Sequence, residues 1–219
     1  MASKRHVLLT SSPGVGKTTL CKKIYELLNK KSISAQGFYT EEVRNESGSG
    51  RLGFDFVTLN GERGPLARVK EYEKLALASN LFHDYLQKLK PGRKQKGQMV
   101  GKYLVDLKSF EQLALPTIIV SSSTDKPCIV IVDEIGKMEL FSKPFAQAVQ
   151  NLFKSPKTCI LATVPVARQH PIQLVEQLKG RPDVTLIELY CHTGTRTNRS
   201  SIAEDILALI TSASGTEAS

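Results

Sequence analysis

The chain has 219 residues, of which 30 are Lys or Arg and 21 are Asp or Glu, so its formal net charge is +9. Hydrophobic residues make up 41% and aromatic residues 6% of the chain, which excludes a mainly disordered protein and predicts one large domain with an aliphatic core. No stretch approaches the roughly 20 apolar residues of a membrane span, and no signal peptide is evident, so we expect an intracellular, cytoplasmic protein.

The positive charge is unevenly distributed along the chain. Residues 1–127 hold 21 basic and 12 acidic side chains, whereas residues 128–219 hold nine of each. Six basic and no acidic side chains fall between Lys88 and Lys102. Such an excess is typical of proteins that bind nucleic acid, a membrane surface or an anionic small ligand, and composition does not choose among the three.

In chain order, short β-rich runs alternate with helical patterns, which predicts an α/β fold. Residues 6–9 predict a strand, residues 11–16 a glycine-rich turn, and residues 20–28 a helix with one apolar face. Three β-rich runs within 35–69, separated by Ser/Gly and Asn-Gly turn signals, predict a small antiparallel β-meander. Residues 70–102 predict a variable, basic surface excursion.

The alternation of strands and helices resumes after residue 102. Strands are predicted at 103–107, 128–132, 158–164 and 184–189, and helices at 110–115, 145–153, after Pro171 and at 202–210. We therefore expect residues 1–211 to form a single domain and residues 212–219 to form a flexible tail.

A glycine-rich loop joins the first predicted strand to the first predicted helix. It reads Ser11, Ser12, Pro13, Gly14, Val15, Gly16, Lys17, Thr18 and Thr19, and we assign these residues to nucleotide binding. In such a loop the backbone N–H groups and the helix N-terminus face a polyphosphate, Lys17 reaches the β- and γ-phosphates, and the Thr18 hydroxyl ligates Mg²⁺. Ser11 stands where the strict pattern has glycine, so a residue with a Cβ must make the first turn of the loop.

Two carboxylates follow the apolar run at 128–132, which predicts a strand buried on both faces. We assign Asp133 to Mg²⁺ and Glu134 to the attacking water, because a phosphate loop needs an anionic metal ligand and a group that orients water. Alone, the pair would fit equally well as acids at the start of a helix. With the loop, it favours hydrolysis over phosphoryl transfer, with Glu134 and Lys17 as catalytic residues.

Five further side chains are weaker candidates for the same site. Lys137 and Glu139 either face the phosphates or form a surface ion pair. Thr163, at the end of a predicted strand, is a candidate for sensing the γ-phosphate. Arg168 and Arg199 are candidates for an arginine finger, although we prefer a solvated surface position for both.

Several sequence blocks resemble the cancer-related nucleoside-triphosphatase family. They are Thr40–Arg44, Gly53–Asp55, Arg63–Leu66, Asp106 with Ser109–Glu111, Asp133–Leu140 and Asn198-Arg199. The resemblance covers nearly the whole chain and implies a P-loop NTPase with a RecA-like core, a mostly parallel sheet flanked by helices, here with the β-meander inserted. It implies slow, Mg²⁺-dependent hydrolysis of ATP, GTP, CTP and UTP to diphosphate and phosphate, with Ser11–Thr18, Asp133 and Glu134 in the roles given above.

Two alternatives to hydrolysis remain open from the residues. A nucleoside or nucleotide kinase shares the loop and often uses a basic lid, for which residues 88–102 are a candidate. A nucleotide-gated RNA-binding protein would use the same basic run, but only Tyr103 lies beside it as a stacking aromatic. We expect a nucleoside triphosphate as substrate and a monomer, with no membrane partner and with nucleic acid as the less favoured partner.

Overall fold

The structure is a computed structural model that describes residues 4–45, 50–70, 97–120, 127–167, 169–190 and 196–215, with only the backbone at 196–198. Most of the predicted excursion at 70–102 lies outside these residues, and so does Arg168. Among the described residues no helix is long and apolar enough to span a membrane.

Nine strands of the described chain form one sheet, and helices connect or cover them. The strands are β1 His6–Ser11, β2 Ala35–Arg44, β3 Arg51–Thr58, β4 Arg63–Val69, β5 Met99–Val100, β6 Tyr103–Val105, β7 Cys128–Val132, β8 Thr158–Pro165 and β9 Val184–Glu188. The longer helices are α1 Lys17–Lys30, α2 Lys143–Lys154, α3 Gln173–Lys179 and α4 Arg196–Ser214. Short helical turns run through Leu107–Ser109, Phe110–Ala114, Leu115–Ile118 and Glu139–Phe141.

The sheet has a parallel half and an antiparallel half. The strand order across the sheet is β5-β6-β4-β3-β2-β7-β8-β1-β9. Strands β2, β7, β8, β1 and β9 run parallel to one another. On the other side of β2, strands β3, β4, β6 and β5 follow with antiparallel pairing. The predicted α/β fold with a parallel central sheet is thus confirmed. The meander continues this sheet, because β2 pairs with β7 on one side and with β3 on the other.

Apolar side chains cover both faces of the sheet, because successive residues of a strand point to opposite faces. On one face, Val7 and Leu9 of β1 pack with α1 and α4. On the other face, Leu8 packs in a cluster with α2, α3 and the turns between Leu107 and Ile118. The central parallel strands β1, β7 and β8 are therefore buried on both sides, as the continuous apolar sequence of β7 predicts, whereas the edge strand β9 is partly exposed.

Two helix boundaries differ from the sequence prediction. The helix expected at 110–115 lies within a longer helical segment from Leu107 to Ile118, which changes from α to π to 3₁₀ geometry. Helix α4 runs to Ser214, past the predicted start of the tail at 212. The Ser212 and Ser214 hydroxyls donate to Leu209 O and Thr211 O, within the last turns of this helix.

Candidate active site

The predicted phosphate loop lies between the end of β1 and the start of α1, as a loop that presents backbone N–H groups must. Its left-handed backbone positions fall on Gly14, with φ of +80°, and Gly16, with φ of +104°. Ser11 is still part of β1, pairs with Pro165 and is 2% exposed. The Cβ of Ser11 is therefore tolerated, because the conformations that need glycine come later in the loop.

Lys17 folds back over the loop that precedes it. Its Nζ donates to the carbonyl oxygen of Ser11 at 3.3 Å. Gly16 is the N-cap of α1 and accepts from Leu20 N at 3.0 Å, so the first helical turn forms directly behind the loop. Thr18 lies half-buried in that turn, next to the exposed Thr19. The loop, a cation and a hydroxyl are thus grouped at one helix N-terminus.

Asp133 is held in one orientation by two threonines from neighbouring strands. It follows β7 directly, is 1% exposed, and its N–H donates to Phe38 O of β2 at 3.2 Å. Its Oδ1 accepts from the Thr163 hydroxyl at 2.6 Å. Its Oδ2 faces the N–H and hydroxyl of Thr40, at 3.3 and 3.4 Å. Asp133 makes no salt bridge to a described residue, so this buried carboxylate has neutral partners there.

Glu134 lies close enough to Lys17 and Asp133 for their charges to act on it. Burial raises the pKa of the Glu134 carboxyl, Lys17 acts against that effect, and the negative charge of Asp133 adds to it. The next residue, Ile135, donates its N–H to Thr163 O at 2.9 Å, which fixes the chain just past Glu134. The phosphate loop and the two acids therefore share one electrostatic environment.

Glu139 is a second buried acid in this loop, and Lys137 is exposed. Oε2 of Glu139 accepts from Gly136 N–H at 3.2 Å. Burial and then the charge of Glu134 raise the pKa of Glu139 to about 8. A Cβ on Gly136 would lie 3.0 Å from both Glu134 Oε1 and Glu139 Oε2, so glycine lets the two carboxyl groups approach the same backbone atom. The alternative of a surface pair between Lys137 and Glu139 does not fit this burial.

Arg199 contacts the phosphate loop from helix α4. Its Nη2 donates to Val15 O at 2.7 Å, and a Cβ on Gly16 would lie 2.8 Å from its Nη1. The sequence pattern gives no sign of this contact, which joins residues 184 positions apart. Arg168, the other candidate for an arginine finger, lies outside the described residues.

Sheet topology explains why these groups meet. The carboxyl ends of the parallel strands β1, β8 and β7 lie at one edge of the sheet, and from them come the loop, Thr163 and Asp133. Thr40 lies in the middle of β2, two residues past Phe38, the last residue that pairs with β7. The sequence pointed to the loop, Asp133 and Thr163, but to Thr163 as a candidate sensor of the γ-phosphate and not as a partner of Asp133, and it did not point to Thr40. Thr40 lies in a block quoted for its resemblance, but only the pairing of β2 with β7 brings it to the acid.

Comparisons with known proteins identify the family of this chain. A family model described as NTPase matches residues 6–207. A mouse (Mus musculus) protein named cancer-related nucleoside-triphosphatase homolog is 44% identical over 210 residues, which are 95% of this chain and 97% of the relative.

Two solved structures are similar to this chain over nearly their whole length. The solution structure of a human cancer-related nucleoside triphosphatase has a TM-score of 0.69 and 43% identity, over 95% of this chain and 98% of that one. The crystal structure of THEP1 from the hyperthermophile Aquifex aeolicus has a TM-score of 0.67 and 34% identity, over 94% and 98%.

Proposed function

Because this chain belongs to the NTPase family, we propose that it hydrolyses nucleoside 5′-triphosphates to nucleoside diphosphates and phosphate. The observation that carries the proposal is the pair of acids, Asp133 and Glu134, at the same edge of the sheet as the phosphate loop. Two threonines orient Asp133, and the charge of Lys17 acts on Glu134. We further propose that the enzyme depends on Mg²⁺, accepts ATP, GTP, CTP and UTP, and turns over slowly.

The triphosphate would bind in the loop Ser11–Thr19. The backbone N–H groups of the loop and the N-terminus of α1 would carry partial positive charge toward the triphosphate, and this charge does not depend on pH. Lys17 would exchange its contact with the Ser11 carbonyl for the β- and γ-phosphates, where its charge is worth more as negative charge moves in the transition state. Lys17 thus serves both binding and catalysis in this proposal.

The oxygen groups of Asp133 and Thr18 fit a Mg²⁺ ion. Mg²⁺ prefers carboxylate and hydroxyl oxygens. Asp133 is 1% exposed and its described partners are neutral hydroxyl and amide groups, so no cation of the described chain occupies its oxygen atoms and a metal ion could bind there. Thr18 would supply the second protein ligand. When bound, the ion neutralises charge on the phosphate oxygens.

Glu134 would orient the attacking water and accept its proton. Glu134 follows Asp133 directly, is half-buried and feels the charge of Lys17, which supports a role beside the terminal phosphate. Thr163 would hold Asp133 through the hydrogen bond to Oδ1. The kinase and RNA-binding alternatives depend on the basic run at 88–102, most of which lies outside the described residues, and no other observation favours them.

The test is phosphate release from a panel of nucleotides by the purified protein, with and without Mg²⁺, a phosphoryl acceptor and RNA. Glu134→Gln and Lys17→Ala are each expected to lower kcat by about 100-fold or more, because each group acts chiefly in the transition state. The exposed residues Glu26 and Lys30 of α1 supply matched controls, Glu26→Gln and Lys30→Ala, which should hydrolyse at the normal rate. Full activity in both site variants would refute the assignment, and faster transfer to an acceptor than to water would indicate a kinase.

A further inference from the structure

The Arg199 side chain packs on two consecutive residues of the phosphate loop. It donates to Val15 O at 2.7 Å, and its guanidinium occupies the space beside Gly16, where an added Cβ would lie 2.8 Å from Nη1. Arg199 belongs to the first turn of the described α4. The last helix of the chain is thereby joined to a loop that follows its first strand.

Peptide geometry identifies the side of the loop on which Arg199 lies. The carbonyl of Val15 and the N–H of Gly16 belong to one planar trans peptide, so they point in opposite directions. In a phosphate loop the N–H groups face the polyphosphate. A guanidinium that binds the Val15 carbonyl therefore lies behind this peptide, on the face turned away from the phosphates.

We propose that Arg199 is a positioning residue that holds the Val15–Gly16 peptide with its N–H toward the triphosphate. The inference rests on the proposed function for the identity of the ligand. Two effects follow from the contact. The charged hydrogen bond restricts rotation of a peptide flanked by glycine, and it polarises the peptide so that the N–H becomes a stronger donor. An arginine finger, in contrast, touches the transferred phosphate itself.

The neighbouring contact between α1 and α4 supplies a matched control. Lys23 Nζ of α1 donates to the Ser200 hydroxyl, at 2.6 Å, one residue beyond Arg199. Lys23→Ala removes one positive charge and one contact between the same two helices, yet leaves the loop untouched. It separates loop positioning from the general docking of α4.

The experiment compares wild type, Arg199→Ala and Lys23→Ala by three measurements. These are hydrogen exchange of the loop amides without nucleotide, affinity for Mg²⁺ with N-methylanthraniloyl-ATP, and kcat for ATP hydrolysis. In Arg199→Ala we expect faster exchange at residues 15–17, affinity weaker by about 10-fold from the lost charged hydrogen bond, and kcat within about twofold of wild type. Lys23→Ala should match wild type in amide exchange of the loop and in nucleotide affinity.

Three outcomes would overturn the proposal. A kcat about 1,000-fold lower with unchanged affinity would identify an arginine finger. Equal effects of the two variants would show that helix docking, not loop positioning, matters. Unchanged exchange and affinity in Arg199→Ala would show that the contact has no role. If the wild type neither binds nor hydrolyses triphosphates, the proposed function fails, while amide exchange still tests the contact.

Discussion

At the scale of single residues, the orientation of Asp133 depends on hydroxyl groups that carry no charge. The Thr163 hydroxyl is buried and donates to Oδ1 at 2.6 Å. Hydrogen bonds of this kind fix the direction of a metal-binding carboxylate, and their loss typically weakens metal binding by about 10- to 100-fold. Thr163→Val keeps the shape of the side chain but removes the donor.

We therefore expect Thr163→Val to shift the Mg²⁺ concentration for half-maximal hydrolysis upward by about 10-fold. The measurement is a Mg²⁺ titration of phosphate release at saturating ATP. Thr158, at the opposite end of β8, is equally buried and donates to Leu152 O at 2.6 Å. Thr158→Val should lower stability without moving the Mg²⁺ midpoint, so a shift in both variants would argue against a specific role for Thr163.

Sequence reasoning can group residues that lie close together in the chain. The loop and the adjacent acids Asp133 and Glu134 follow from residue types within a few positions of a strand end. Thr40 and Arg199 could not be linked to their partners, because each acts across more than 90 residues and neither contact has a periodic pattern. The burial of Glu139 was also outside the reach of sequence, since acidic side chains are rarely buried.

At the scale of elements, the helical segment from Leu107 to Ile118 shows how one cap supports an irregular helix. Asp106 Oδ1 accepts from Ser109 N at 2.9 Å, which satisfies an N–H group that has no partner within the helix. Phe110 follows within one turn and is fully buried against Phe38 of β2, with ring centroids 5.5 Å apart. The cap thus positions a core residue beneath the strand that carries Thr40.

Removal of this cap should cost about 1 kcal/mol of unfolding free energy in Asp106→Ala, whereas Asp106→Asn should cost a few tenths at most. Urea denaturation monitored by circular dichroism measures both differences. An equal loss in the two variants would mean that charge, rather than the acceptor oxygen, is what Asp106 contributes. No loss in either would show that the segment does not need its cap.

At the scale of the whole molecule, the alternation of strands and helices predicted the α/β class but not the continuity of the sheet. The apolar residues of a strand indicate that the strand is buried, but they do not indicate which strand lies beside it. The parallel and antiparallel halves of the sheet meet at β2, where Phe38 pairs with Val132 of β7 on one side and with Thr58 of β3 on the other. Partners this distant in sequence are set by packing of the complete core.

Acid should destabilise the whole fold through His6, which is fully buried in β1. Neither of its ring nitrogens makes a hydrogen bond, although Nε2 lies 3.6 Å from Asp183 Oδ2. Burial lowers the pKa of His6 to about 4, against the opposing effect of Asp183. The unfolded chain takes up this proton near pH 6.5, and the folded chain does so only near pH 4, so the stabilisation present above pH 6.5 is lost as pH falls through this interval.

The loss between pH 7 and pH 5 should be about 2 kcal/mol of unfolding free energy. His6→Phe, which keeps an aromatic ring against Phe153, should show a correspondingly smaller loss over that range. Urea denaturation at a series of pH values measures both. Identical pH dependence in wild type and His6→Phe would assign the acid sensitivity to other groups.

One strand also acts as a spacer in this molecule. Strand β8 lies between β1, which leads into the phosphate loop, and β7, which leads into Asp133. Neighbouring strands are about 4.8 Å apart, so the loop strand and the acid strand are separated by roughly 10 Å. That gap is wide enough for a phosphoryl group with a water beyond it. In the hydrolysis proposed above, the width of a single strand would thus set the room for water between the bound phosphate and the acids that follow β7.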